Sequence, residues 1–124
     1  MSSPSLLSHF YKTRDEYRSN ADRALLHGEY RKASELLWGA LTQQIKALAA
    51  LHDIAIESHR HFFDFMRGVS AETQDPSFYS EFVHLNALHK NFYDETIPPD
   101  IFPDYYRRTT ELIERLDSLV TAES

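Results

Sequence analysis

The segment from Ala33 to Leu51 constrains the fold more than any other part of the chain. At 100° per residue, Ala33, Leu37, Ala40, Leu41, Leu48 and Leu51 share one helical face. Leu36, Ala47, Ala49 and Ala50 widen that face, while Trp38 and Ile45 cover another flank. Only a narrow strip of Lys32, Glu35 and Lys46 is left for water. A helix that is apolar over most of its circumference sits at the centre of a structure. The rest of the chain must therefore supply several covering elements, and the excess apolar surface predicts that a partner or a second copy covers what remains.

The covering elements are legible as helices. A first helix is expected from about Pro4 to Leu26, with Leu6, Phe10, Tyr17, Ala21, Ala24 and Leu25 at helical spacing and His27-Gly28 as its stop. The central helix runs from Glu29 to about Leu51. A third is expected over about Ile54 to Val69, with an aromatic stripe of Phe62, Phe63, Phe65 and Met66 closed by Gly68. Asp75 and Pro76 open a fourth, which carries Phe78, Phe82, Leu85, Leu88 and Phe92 on one face and stops before Thr96. A rigid linker with Pro98, Pro99 and Pro103 leads to a last helix, about Pro103 to Thr121. No strand pair, repeat or low-complexity tract is visible. The expected fold is a single all-α domain over residues 1–124, an up-and-down bundle of four to five helices.

Composition agrees and narrows the function. The 124 residues match the commonest size of one domain, which can bury roughly two-thirds of its unfolded surface without a disulfide or metal. Eight Phe, seven Tyr and one Trp against three Gly favour long helices around a thick core. The absence of cysteine excludes thiol catalysis, zinc-thiolate sites and iron–sulfur clusters. A formal charge of -6 argues against a broad phosphate-gripping surface. Met1 to Phe10 has neither a basic start nor a long apolar run, and no stretch is long enough to span a membrane, so a cytoplasmic protein with no membrane partner is expected.

Chemistry-bearing motifs are few. Three glycines leave no room for a phosphate-cradling loop, a dinucleotide fingerprint or a nucleophile elbow. Glu81-Phe82-Val83-His84 has the Glu-x-x-His spacing of di-iron bundles, but such sites need a second copy, and none exists. It reads as an exposed helical pair, and His52, His59 and His61 as a solvated helix end. No metal and no cofactor is expected. Tyr105-Tyr106-Arg107-Arg108 reads as an amphipathic first turn.

Two polar residues stand inside apolar arcs: Gln44 between Ala33 and Leu37 in angle, and His89 between Phe82 and Leu85. Each predicts either a satisfied core network or a cleft. The cleft reading groups Gln44, His89, Asn91 and Tyr93 beside the proline-rich linker, where a histidine can donate a proton or bind a base or phosphate.

The run Gly28-Glu29-Tyr30-Arg31-Lys32-Ala33-Ser34-Glu35-Leu36-Leu37-Trp38-Gly39-Ala40, followed by Ile45-Lys46-Ala47-Leu48-Ala49, resembles the second helix of HEPN-superfamily proteins. Within that superfamily it is most similar to the archaeal PaREP-type branch, as are Ser58-His59-Arg60 and Ala87-Leu88-His89-Lys90-Asn91-Phe92-Tyr93. Ile97-Pro98-Pro99 and Phe102-Pro103-Asp104 resemble the proline-rich turn of HEPN domains that partner small nucleotidyltransferases. The resemblance spans roughly Gly28 to Arg115. It implies a homodimeric bundle in RNA, nucleotide or toxin–antitoxin biology, with a nucleotidyltransferase as partner. HEPN ribonucleases carry an Arg followed, after four to six residues, by a His. No Arg here has a His at that distance; His84 stands five residues before His89 where the Arg would be. Imidazole does not supply the fixed charged fork of a guanidinium. The expectation is thus a non-catalytic accessory or substrate-binding subunit with no catalytic residue. The rivals are a divergent metal-independent ribonuclease using His89 and His84, and a purely structural interaction protein.

Overall fold

The structure, a computed structural model, describes residues 4–94 and 97–123, except the side chains of Pro4 and Tyr93. It is an all-α bundle of six helical segments: α1 (Pro4–Leu26), α2 (Tyr30–Leu51), α3 (His59–Thr73), α4 (Ser77–Leu85), α5 (Ala87–Asp94) and α6 (Phe102–Glu123). Among the described residues, no helix is long and apolar enough to cross a membrane.

Helix α2 is the axle. Ala33, Ala40, Leu41, Ile45, Ala47 and Ala49 are completely buried, and Leu37, Trp38, Leu48 and Ala50 nearly so. α1, α5, α6 and α3 all pack on it. α1 and α2 form a hairpin through Gly28, which takes a left-handed φ of +69°. Arg14 meets Gln44 and Tyr17 meets Gly39, so the two helices run antiparallel. α6 lies antiparallel to α1, with Tyr11 on Asp117 and Tyr106 on Asp22. One chain thus covers most of the apolar circumference of α2, leaving Leu36 and Leu51 partly buried. The apolar surplus along α2 is smaller than the sequence suggests, because α5 and α6 also pack on it.

The ends of the elements follow local chemistry. α3 begins at His59 because Ser58 caps it, its side chain accepting from His61 N at 3.1 Å. It runs past Gly68 to Thr73, where Gln74 takes the left-handed C-terminal conformation. This differs from the expected span, Ile54 to Val69, at both ends: the cap is Ser58, and the residues after Gly68 continue the helix. Residues 52–58 instead run back along α2. α3 therefore starts beside Trp38 and travels in the same sense as α2. Asp75, expected as the cap of α4, stands one residue before its N-cap, Pro76, from where its carboxylate accepts from Ser77 N at 3.0 Å. The expected fourth helix is two, α4 and α5, separated at Asn86, whose N–H is shared between the carbonyls of Phe82 and Val83. The break turns α5 onto α2. Leu6, assigned to the buried face of α1, is exposed.

Candidate functional site

The break at Asn86 brings two polar side chains of α5 against α2. His89 Nδ1 lies 2.9 and 3.1 Å from the two carboxylate oxygens of Glu35. Its ring stacks on Trp38 at 6.0 Å between centroids and meets His59, from the first turn of α3, at 5.4 Å. Trp38 in turn stacks on Phe82 at 5.1 Å. Glu35 and His89 are each about one-third exposed, so the pair stands at the lip of the bundle, not in its core. A carboxylate on Nδ1 fixes the ring's orientation.

Two residues further along, Asn91 is buried. Its Nδ2 donates to Ser34 Oγ at 2.8 Å and its Oδ1 accepts from Ile97 N at 2.7 Å. Asn91 thereby pins the proline-rich linker to α2. Arg31 Nε donates to the carbonyl of Phe92 at 2.8 Å, close to the C-terminal end of α5. Between the linker and the start of α2 lies a cleft of about 750 Å³, lined by Gly28, Tyr30, Arg31, Lys32, Phe92 and Pro98 among others. The first turn of α2 opens on it, with no acidic residue within that turn and no side-chain cap, although the carboxylate-bearing N-cap residue, Glu29, also lines the cleft. Backbone N–H groups at such an end, with two cations beside them, favour an anion.

The residues singled out from the sequence do not converge on one cleft. His89 and Asn91 share the α2–α5 seam. The side chain of Tyr93 lies outside the described residues. Gln44 is elsewhere: nine residues beyond Glu35 on α2, it lies about 13 Å further along the helix axis. There it is fully buried and accepts from Arg14 Nη1 at 2.7 Å. Arg14 also lies over the Tyr11 ring, and the Tyr11 hydroxyl donates to Asp117 at 2.7 Å. Burial, then that hydrogen bond and the charge of Asp117, push the Tyr11 phenol up to about 12. Gln44 is thus part of a core network joining α1, α2 and α6, but the network is not fully satisfied, because its buried Nε2 has no hydrogen-bond partner among the described residues.

Glu81 and His84 do face one partner, but it is an arginine. Arg108 Nε lies 3.1 and 3.2 Å from the two oxygens of Glu81, and Nη2 donates to Oε2 at 2.6 Å. Arg108 Nη1 lies 3.0 Å from His84 Nε2, and the His84 ring lies flat on Tyr105 at 4.9 Å. His84 and His89 therefore belong to different seams and share no partner named here. Among the described residues, no group of three or more His, Asp or Glu could hold a metal ion.

Sequence reasoning missed Glu35, assigned to the solvated strip of the central helix, and His59, assigned to a solvated helix end. The signal was present in part: an acid on the only polar strip of a buried helix is where an inward-facing histidine finds its counter-charge. The 54 residues between Glu35 and His89 hid the pairing.

The fold and site define a class: an all-α bundle wound round one largely enclosed helix, with a polar cleft where that helix begins. Residues 10–113 match the archaeal PaREP1/PaREP8 family, and the chain belongs to it. No curated protein and no solved structure matches it.

Proposed function

We propose that this protein is a non-catalytic, HEPN-like binding module whose cleft at the start of α2 takes the phosphate of a nucleotide or of an RNA end. The observation that carries the reading is the cleft itself. Its volume suits a nucleotide-sized ligand. It brings together a helix start without a side-chain cap, two cations, Arg31 and Lys32, against one acid, Glu29, and the Tyr30 ring and proline linker. An overall charge of -6 restricts such a protein to a local contact with its ligand. The module would act as a homodimeric accessory subunit beside a small nucleotidyltransferase, in the cytoplasm. With most of α2 covered, the dimer contact falls to surfaces such as Leu26 and Ile101, which are large, apolar and exposed near the cleft.

The test is fluorescence anisotropy with a labelled nucleoside triphosphate and a short single-stranded RNA. Binding should weaken with salt, and Lys32→Glu should weaken it by about tenfold. Absence of binding by either probe would leave a purely structural interaction protein. Sedimentation equilibrium at micromolar concentration tests the dimer, and a clean monomer removes that part.

A second reading, a metal-independent ribonuclease, draws on one observation: His59 lies beside His89, which Glu35 orients. Two imidazoles and a carboxylate are the makings of acid–base catalysis. His84, held by Arg108, would take no part. Cleavage of single-stranded RNA in EDTA that vanishes in His89→Ala would replace the binding reading with this one.

A further inference from the structure

At the opposite end of α2 from the cleft, the C-terminal ends of three helices meet around a second cavity. Its volume is about 510 Å³, and its walls are apolar: Leu48, Ile54, Phe65, Val69 and Leu119. His52 follows the last residue of α2, Glu72 and Thr73 end α3, and Glu123 ends α6, and all four line it.

The electrostatics of this convergence are one-sided. Each helix C-terminus carries a partial negative charge, and sequences commonly answer it with Lys or Arg in the last turn. None of α2, α3 and α6 has a basic residue there. Carboxylates stand in that place instead, Glu72 on α3 and Glu123 on α6, and Asp64, eight residues before Glu72 on α3, also lines the cavity. Glu123 meets His52 Nε2 at 3.2 Å, and Asp64 meets Arg67 at 3.4 Å in an exposed pair that solvent screens. Among the described residues, no Lys or Arg lines the cavity; its basic side chains are His52 and His61, against the three carboxylates. Two of these acids are mildly unfavourable to the helices that carry them.

Gly68 adds an independent observation. It lies on the cavity wall in the interior of α3, where glycine weakens a helix relative to alanine. No neighbour requires it, since a Cβ built there would meet nothing within 4 Å. Its effect is to leave the α3 backbone open to whatever enters.

We propose that this cavity binds a small organic cation: an aromatic or branched aliphatic body carrying an ammonium group. The apolar walls take the body, and the carboxylates and three helix ends take the charge. The volume suits a small molecule rather than a segment of another protein. This inference does not rest on the nucleotide reading.

Isothermal titration with 1-naphthylmethylammonium and with 1-naphthylacetate, the same ring carrying opposite charge, tests it. The ammonium should bind one per chain and roughly tenfold tighter than the carboxylate. Gly68→Leu should abolish binding while a thermal melt shows the fold intact. Glu72→Gln with Glu123→Gln, two exposed positions, should narrow the preference to within about threefold. Failure of the ammonium to bind, equal affinity for the two ligands, or unchanged binding in Gly68→Leu would each overturn the proposal. Should Gly68→Leu not fold, an unchanged preference in the double glutamine variant overturns it alone.

Discussion

Asn91 and Ser34 hold each other where neither reaches water: Asn91 Nδ2 donates to Ser34 Oγ at 2.8 Å, and the residues are 1% and 0% exposed. Ser34 Oγ donates onward to the Tyr30 carbonyl at 2.8 Å, and Asn91 Oδ1 receives Ile97 N at 2.7 Å. Every member is satisfied, so removing one strands the others. Asn91→Ala should cost about 2–3 kcal/mol in urea denaturation. A double-mutant cycle with Ser34→Ala should give a coupling above about 0.5 kcal/mol. Additive losses would mean that the linker, and with it the cleft wall, is held by other contacts.

Gly39 of α2 packs against the Tyr17 ring of α1. A Cβ there would stand 2.9 Å from Tyr17 Cδ2 and 3.1 Å from Cε2. The gain in helix propensity from alanine, about 1 kcal/mol, is smaller than the cost of forcing a ring and two helices apart. Gly39→Ala should therefore lower stability by about 1–2 kcal/mol. Tyr17→Leu in the same chain should restore part of it. A stabilised Gly39→Ala would show that the Tyr17 ring moves aside freely.

Trp38 is 4% exposed and lies between Phe82 and His89. Its truncation removes core burial and the platform beneath the His89 ring. Trp38→Ala should cost on the order of 3 kcal/mol in thermal or urea unfolding. A cost below about 1 kcal/mol would place the indole in a surface role.

Acid should act through Asp75. Hydrogen bonds from the Ser77 hydroxyl and Ser77 N–H, with Arg115 alongside, hold its carboxyl below the ordinary value of 3.8. A carboxyl depressed in the folded state binds fewer protons folded than unfolded. Its contribution is present above the unfolded pKa, and it is lost as pH falls through the folded one. Asp75→Asn should flatten the fall of the urea midpoint below about pH 4. An unchanged acid limb would assign the loss to other carboxylates.

Alkali should act through Tyr11, where the sign reverses. Its phenol is pushed up to about 12 from 10.0, so between those values the folded chain keeps a proton that the unfolded chain has released. Stability should then decline from about pH 10 upward. Tyr11→Phe should lessen that decline and remove the highest step of the phenolate absorbance titration. A wild-type titration completed by about pH 11 would contradict the part-buried Tyr11–Asp117 contact.

The fold was largely legible because helical period and stop residues act locally. The span of α1 and the place of Asp75 at the start of α4 needed only neighbours in sequence. The mistakes came where the deciding partner was distant or the stop signal ambiguous. Gly68 looked like a terminus because glycine usually ends helices, whereas its neighbours continue α3 to Gln74. The division at Asn86 carries no proline or glycine to announce it. The candidate site was legible only as unease: His89 and Gln44 were polar groups inside apolar arcs. Their partners, Glu35 and Arg14, lie 54 and 30 residues away, and no periodicity encodes such pairings.

The enclosure of α2 also sets an order of events for a chain emerging from the ribosome. The most enclosed helix is made second, and α6, which closes one of its sides, follows the other five. Until α6 is free to dock, α1 and α2 form a hairpin with an uncovered greasy seam, and the contacts that seal it, such as Tyr11 with Asp117, span 106 residues. The nascent bundle thus stays exposed to aggregation until α6 has emerged. Docking of α6, more than any earlier step, is the event that makes it safe.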